Sequence, residues 1–215
     1  MQHHSSQASF PRTGINVWPA LVDAISSVLV LMFLLYIMKS VAGGELEAIR
    51  ARRAMTALQR AIESRFQEAG LANVVRCQYT TNILRVTFSD TVLFNSGEYV
   101  LPKRGLNALR LCADALKSPG APRFAQIQVE GHTDSALLTK PTYPRDNWEL
   151  SSARAVAVLK ELVTLGVHSG VISANGYGDQ MKIDNGHSEE ANRRNRRIEL
   201  RIIYAIPKTL TRRSP

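Results

Sequence analysis

Gly131-His132-Thr133-Asp134 and Asn147-Trp148-Glu149-Leu150-Ser151-Ser152-Ala153-Arg154-Ala155 are the two stretches that decide the fold. The first closes Ala125 to Glu130, an alternating run with the two-residue period of a strand. The second leads into Leu150 to Leu165, whose apolar spacing is helical, with Ser151 as a candidate cap and Gly166 as a stop. A strand ending in an acid and a helix beginning with an arginine bring opposite charges to one end of an α+β unit. Asp134 and Arg154 so placed suit a zwitterionic ligand, the acid taking an ammonium and the guanidinium a carboxylate. A plain strand–helix salt bridge fits the same two residues.

The neighbouring segments complete a domain. Val74 to Tyr79 and Ile83 to Phe88 alternate and read as strands about Thr81-Asn82. Pro102 to Leu116 reads as a helix with Pro102 near its first turn. Val171 to Ala174 is a short strand. Arg197 to Tyr204 is a last alternating strand, entered through Asn192-Arg193-Arg194-Asn195-Arg196. The pattern predicts an α+β domain over 71–206, of order β-α-β-α-β-β, with helices on one face of a mixed sheet. Residues 207–215 read as a disordered tail.

Ahead of this domain, residues 1–16 are a polar lead. Val17 to Met38 is almost wholly apolar and exceeds the roughly 20 residues that a membrane helix needs. Residues 17–38 therefore read as a single transmembrane helix. A cleaved signal peptide would have a shorter apolar core and a more basic start than Arg12 alone provides. Asp23 lies about two turns into the helix; a carboxylate at the centre of such a helix costs roughly 2.5–3.5 kcal/mol to insert. Pro19, Asp23, Ser26, Ser27 and Val30 share one small, polar helix face, the kind that contacts other helices in lipid. One helix cannot enclose an ion path, so a partner is implied; an aspartate that snorkels to the interface is the alternative. Gly43-Gly44 predicts a break. Beyond it, Ala51, Met55, Leu58 and Ile62 line one helix face. Residues 39–70 thus read as a helical linker that forms a short coiled coil or packs on its neighbour.

The two deciding motifs have Leu93-Phe94-Asn95-Ser96-Gly97 ahead of them and Asn175-Gly176-Tyr177-Gly178 after the helix. Together they resemble the OmpA-like peptidoglycan-binding family over roughly 83–204. The resemblance implies that Asp134 and Arg154 hold the diaminopimelate of the wall peptide. It also places Thr133, Asn95 and Leu150 in the same pocket and makes Arg197 the family's second arginine. Asn16-Val17-Trp18-Pro19 followed by Asp23, and the long stretch Ser135 to Asp146 between the motifs, resemble stator subunits of the MotB, ExbD and TolR class. That second resemblance implies Asp23 as the ion-carrying group, with Pro19, Ser26 and Ser27 lining its path. It implies a homodimer inside a ring of multi-span MotA/ExbB/ZorA-like membrane subunits. The compact connection to the wall domain is similar to the ZorB-type subunits of Zorya anti-phage systems. The function so implied is a peptidoglycan-anchored stator subunit of a proton- or sodium-driven inner-membrane motor that powers anti-phage defence. A flagellar-type stator and a passive wall tether are the alternatives. The wall domain would be periplasmic and the N-terminus cytoplasmic, although Lys39, Arg50, Arg52 and Arg53 after the helix favour the reverse orientation.

The chain of 215 residues has 27 Lys and Arg against 18 Asp and Glu, a formal charge of +9. A basic balance admits nucleic acid, membrane surface or an acidic polymer as a partner. Asn192 to Arg197 reads better as a solvated basic face than as a nucleic-acid contact, so no nucleic acid is expected. His132, Asp134 and Ser135 are neighbours on one strand end, which does not make a triad. His132, His168 and His187 lack metal spacing. No enzymatic activity, cofactor or metal is expected. Cys77 and Cys112 lie outside any C-x-x-C; a disulfide in an exported domain and two separate buried thiols both fit.

Overall fold

A computed structural model describes residues 17–80, 82–119, 121–136 and 143–204. The polar lead, the part of the long stretch containing Pro141, and the expected tail lie outside the described residues. The chain divides into two units, Met1–Leu46 and Glu47–Pro215.

Helix α1 runs from Trp18 to Glu68. Its first part, Trp18–Val41, has a mean hydropathy of 2.4 and, at 24 residues, is long enough to cross a membrane. The expected break at Gly43-Gly44 does not occur: α1 passes through both glycines. Each glycine costs about 1 kcal/mol relative to Ala. Strong helix formers flank the pair, and propagating an existing helix is cheaper than nucleating a new one.

In the second unit, Ala51, Met55, Leu58 and Ile62 are buried, and Phe66 extends their stripe. Met55, Leu58, Ile62 and Phe66 belong to the domain core, so this part of α1 is a helix packed on its neighbour. The Phe66 ring meets that of Phe88 at 5.9 Å. Gly70 ends the helix in the left-handed region at φ 72°. Its N–H donates to the Gln67 carbonyl and that of Leu71 to the Phe66 carbonyl, which satisfies two orphaned acceptors of the last turn.

Strands β1 (Val75–Thr80) and β2 (Ile83–Ser89) form an antiparallel hairpin. A four-residue helix α2 (Asp90–Leu93) follows, then α3 (Lys103–Leu116), β3 (Phe124–His132), α4 (Asn147–Thr164) and β4 (Ile172–Gly176). A short helix α5 (Glu189–Asn195) leads into β5 (Arg197–Tyr204). The sheet order is β1-β2-β5-β3-β4. β3 and β4 are parallel, while β5 runs antiparallel to both β2 and β3. From β2 onward the major elements follow the expected β-α-β-α-β-β order. β1, the strand expected over Val74 to Tyr79, lies ahead of that order at the sheet edge, and α2 and α5 are extra turns that the periodicity is too short to announce.

One face of the sheet is apolar. Leu84, Val86 and Phe88 of β2, Ile127 and Val129 of β3, and Ile198, Leu200 and Ile202 of β5 are all buried. They join Leu109 and Cys112 of α3 and Val158 and Leu162 of α4 in one core. Alternate residues on the strands consequently point to the other face.

α4 begins four residues before the expected cap. Asp146 is the N-cap, its side chain accepting the Glu149 N–H at 2.7 Å. Ser151 lies inside the helix instead, donating to the Trp148 carbonyl at 3.1 Å and accepting the Gly178 N–H at 2.9 Å. A Cβ at Gly131 would run into the Ser151 backbone carbonyl. Only glycine lets β3 lie this close to α4, and that approach sets Thr133 and Asp134 beside the first turn of the helix. The two cysteines are free, and burial pushes both thiols up to about 12, which makes them poor nucleophiles.

Candidate functional site

Where β3 ends against α4, a pocket of about 420 Å³ opens among Asp90, Phe94, Thr133, Asp134, Leu150, Arg154 and Arg196. The expected strand–helix pair between Asp134 and Arg154 is replaced by two crossed pairs. Asp134 accepts from Arg196 at 2.5 Å and from the Ala136 N–H at 3.1 Å. Arg196 also donates to Glu189 at 2.6 Å. Arg154 Nη1 lies 2.9 Å from Asp90 Oδ1.

The two arginines do different work. The Arg154 side chain is 2% exposed, whereas that of Arg196 is 23% exposed. Arg154 Nε donates to the Glu98 carbonyl at 2.7 Å and Nη2 to the Asn95 carbonyl at 3.3 Å. Its guanidinium lies 5.1 Å from the Phe94 ring centre. Arg154 therefore staples the 95–98 loop to α4 and forms the pocket wall. Burial pushes Asp90 above the usual carboxylate range, and the Arg154 charge offsets part of that push. Burial likewise lowers Arg154, with Asp90 opposing. The Thr133 hydroxyl is buried in the pocket wall with no hydrogen-bond partner among the described residues.

Of the residues expected here, Thr133, Asp134, Leu150 and Arg154 line the cavity. Asn95 stands beside it. Its side chain donates to Glu98 and accepts from Arg104, and its carbonyl takes the Arg154 bond. Arg197 does not line the pocket. It is 4% exposed on the opposite face of the sheet, donating to Glu199 at 2.6 Å and to the Asn195 and Met181 carbonyls. The reason is parity: Ile198, Leu200 and Ile202 take the core face, so Arg197 and Glu199 must point away. Asp90 and Arg196 were not singled out from the sequence. The alternation of β5 carried a signal for Arg196. Asp90 had none, because a single acid after a strand has no distinguishing spacing.

The outer face carries a second polar cluster. Glu130, His132 and Glu199 bring ligand-type atoms within 4.8 Å of one another. Arginines already meet this cluster's demand for positive charge. Glu199 takes Arg197 and Arg85 on its two oxygens, and Glu130 takes Arg201 at 3.0 Å. His132 stacks on Tyr177 at 5.2 Å, and neither ring nitrogen has a hydrogen-bond partner among the described residues. Burial, aided by Arg197 and Arg85 and opposed by Glu199, lowers its pKa from 6.5 to about 4. The imidazole is thus neutral in the fold but protonates in the unfolded chain below pH 6.5. The unfolded state then binds the extra proton, so stability is complete above pH 6.5 and falls as pH drops toward 4. The loss amounts to about 3 kcal/mol. Melting curves across that range should show the decline in the wild type and a much flatter profile in His132→Phe.

Residues 93–196 match the OmpA family. The domain has the OmpA-like fold. The chain is also similar to Motility protein B of Bacillus subtilis (strain 168), with 27% identity over 143 residues. That match covers 66% of this chain and 53% of the relative. The chain spans about half the length of the curated relatives it matches. A crystal structure of a MotB-like protein from Desulfovibrio vulgaris aligns with a TM-score of 0.64 at 23% identity, covering 72% of this chain and 99% of that one. The cell wall anchor of the type VI secretion system of Pseudomonas aeruginosa aligns with a TM-score of 0.60 at 27% identity, covering 68% and 99%. The OmpA-like match begins at Leu93 and ends at Arg196, so it brackets the pocket from the α2 end to the lead-in of β5.

Proposed function

We propose that the chain is a peptidoglycan-anchored, stator-type subunit of a bacterial inner membrane, single-pass, with its N-terminus cytoplasmic and its OmpA-like domain periplasmic. The observation that carries this reading is one chain holding both a membrane-length helix with a carboxylate at Asp23 and an OmpA-like pocket with Asp134 beside Arg196. The similarity to a motility protein and to a cell wall anchor supports it. In the pocket, the wall peptide's ammonium meets Asp134 and its carboxylate meets Arg196, exchanging one internal ion pair for two intermolecular ones. Arg154 holds the loop that shapes the site. In the membrane, Asp23 takes up and releases a proton or sodium ion on a path lined by Pro19, Ser26 and Ser27. A second copy of the chain and a surrounding ring of MotA/ExbB/ZorA-like subunits complete that path.

The machine so anchored serves anti-phage defence, read from the likeness of the compact N-terminal half to ZorB-type subunits. The motility relative favours a flagellar reading instead. Deleting the gene separates the two. Defence predicts more phage plaques and unchanged swimming in soft agar; lost swimming with unchanged plaques contradicts it. Purification from native membranes tests the stator class itself. A co-purifying multi-span protein, in several copies per chain, is expected. Recovery of the chain alone would leave a passive wall tether.

A further inference from the structure

Ser89 and Asp90 are consecutive, as are Arg196 and Arg197, yet each pair is split between two cavities. Asp90 and Arg196 line the pocket described above, whereas Ser89 and Arg197 line another of about 430 Å³. The second cavity lies between the start of β1, the end of β2 and the last turn of α5. Four arginines line it, Arg76, Arg193, Arg194 and Arg197, and no acidic residue does. Two of the four are committed: Arg194 to Asp184 at 2.5 Å, and Arg197 to Glu199 at 2.6 Å. Arg76 and Arg193 have no hydrogen-bond or ion-pair partner among the described residues and are exposed. Asn73, Thr87 and Ser89 add polar side chains to the walls.

This arrangement leaves two uncompensated guanidiniums on a concave, part-polar surface. Guanidinium groups bind carboxylate and phosphate through paired N–H donors, and such charge-assisted bonds are among the stronger ones. We propose that this cavity is a second ligand site, an oxyanion pocket for a carboxylate or phosphate group on the anionic wall polymer that the first pocket engages. The choice of a wall polymer rests on the wall-anchoring reading and on the two cavities sharing the β2–α2 and α5–β5 junctions. The oxyanion chemistry does not depend on that reading. A polymer that engages both sites at once sums their binding free energies, less the cost of spanning them.

The test uses the full chain in detergent, with inorganic phosphate as the first probe. Phosphate at about five times its Kd should raise the melting temperature of the wild type by about 3 °C, relative to chloride at equal ionic strength. The double variant Arg76→Ala/Arg193→Ala should lose that increment, and both residues are exposed, so the variant should fold. Arg196→Ala should keep the phosphate increment while losing wall affinity, which separates failure of this site from failure of the first pocket. An equal phosphate increment in wild type and double variant would overturn the oxyanion pocket.

Purified sacculi are the second probe. The double variant should bind them about tenfold more weakly than the wild type, the loss expected for a charge-assisted contact. A difference that persists on sacculi stripped of phosphate-bearing polymers assigns the group as a carboxylate. A difference that vanishes assigns it as a phosphate. Equal binding of wild type and double variant to both preparations would overturn the wall polymer as the occupant.

Discussion

Asp23→Asn should abolish the work done by the complex while leaving the protein in the membrane at wild-type levels. The substitution keeps size and shape but removes the only carboxylate in the Trp18–Val41 span. Insertion should not suffer, because a neutral amide costs less in hydrocarbon than a carboxylate. Among the described residues Asp23 has no ion-pair partner, and the span around it is exposed in the single chain. An ion-carrying role would require other subunits to shield it. Membrane fractionation and partner co-purification should be unchanged in Asp23→Asn, while phage restriction or swimming falls to the level of the deletion strain. Full activity in this variant would reduce Asp23 to an incidental residue.

Arg154→Ala should be the most damaging change in the OmpA-like domain. It leaves the buried Asp90 carboxylate without its ion-pair partner and frees the Asn95 and Glu98 carbonyls that tie down the pocket loop. Removing one partner of a buried pair costs about 3–5 kcal/mol, which lowers the melting temperature of a domain this size by about 10 °C. Asp90 is already pushed upward by burial, and losing Arg154 pushes it further. A carboxylate with a raised folded pKa favours the folded state only when protonated. The deficit should therefore be greatest near neutral pH and shrink as pH falls toward the ordinary carboxylate range. The double variant Asp90→Asn/Arg154→Met should recover most of the stability, since a neutral, well-filled pair carries no stranded charge. It should not recover wall binding, because the 95–98 loop remains unstapled. Thermal melts at several pH values, paired with wall-binding assays, distinguish these effects.

Particular residues show how far the sequence carries. The strand before Gly131 and the helix after Asn147 were legible because each has a clear period over many residues. The stripe from Ala51 to Ile62 was legible for the same reason and found its place in the core. Gly43-Gly44 misled because a local propensity was read without the strong helix formers on either side. Ser151 misled because a serine near a helix start resembles a cap, whereas Asp146 makes the bond. At the pocket, Asp134 and Arg154 were found, but their pairing was not. Which acid meets which arginine depends on the depth of each side chain, and that is set by the close approach of β3 to α4 at Gly131. The resemblance gives Arg197 a structural or a ligand-binding role, and the alternation of β5 sets it on the outer face, paired with Glu199. Adjacent arginines at a strand start face opposite sides, and of these two Arg196 lines the pocket.

Co-sedimentation of the full chain with purified peptidoglycan sacculi, with and without free diaminopimelate, decides whether the pocket holds the wall. The wild type should pellet with the wall and be released by the free amino acid. Asp134→Asn and Arg196→Ala should stay in solution while melting close to the wild type. Equal pelleting of all three proteins, unmoved by diaminopimelate, would show that this pocket does not hold the wall.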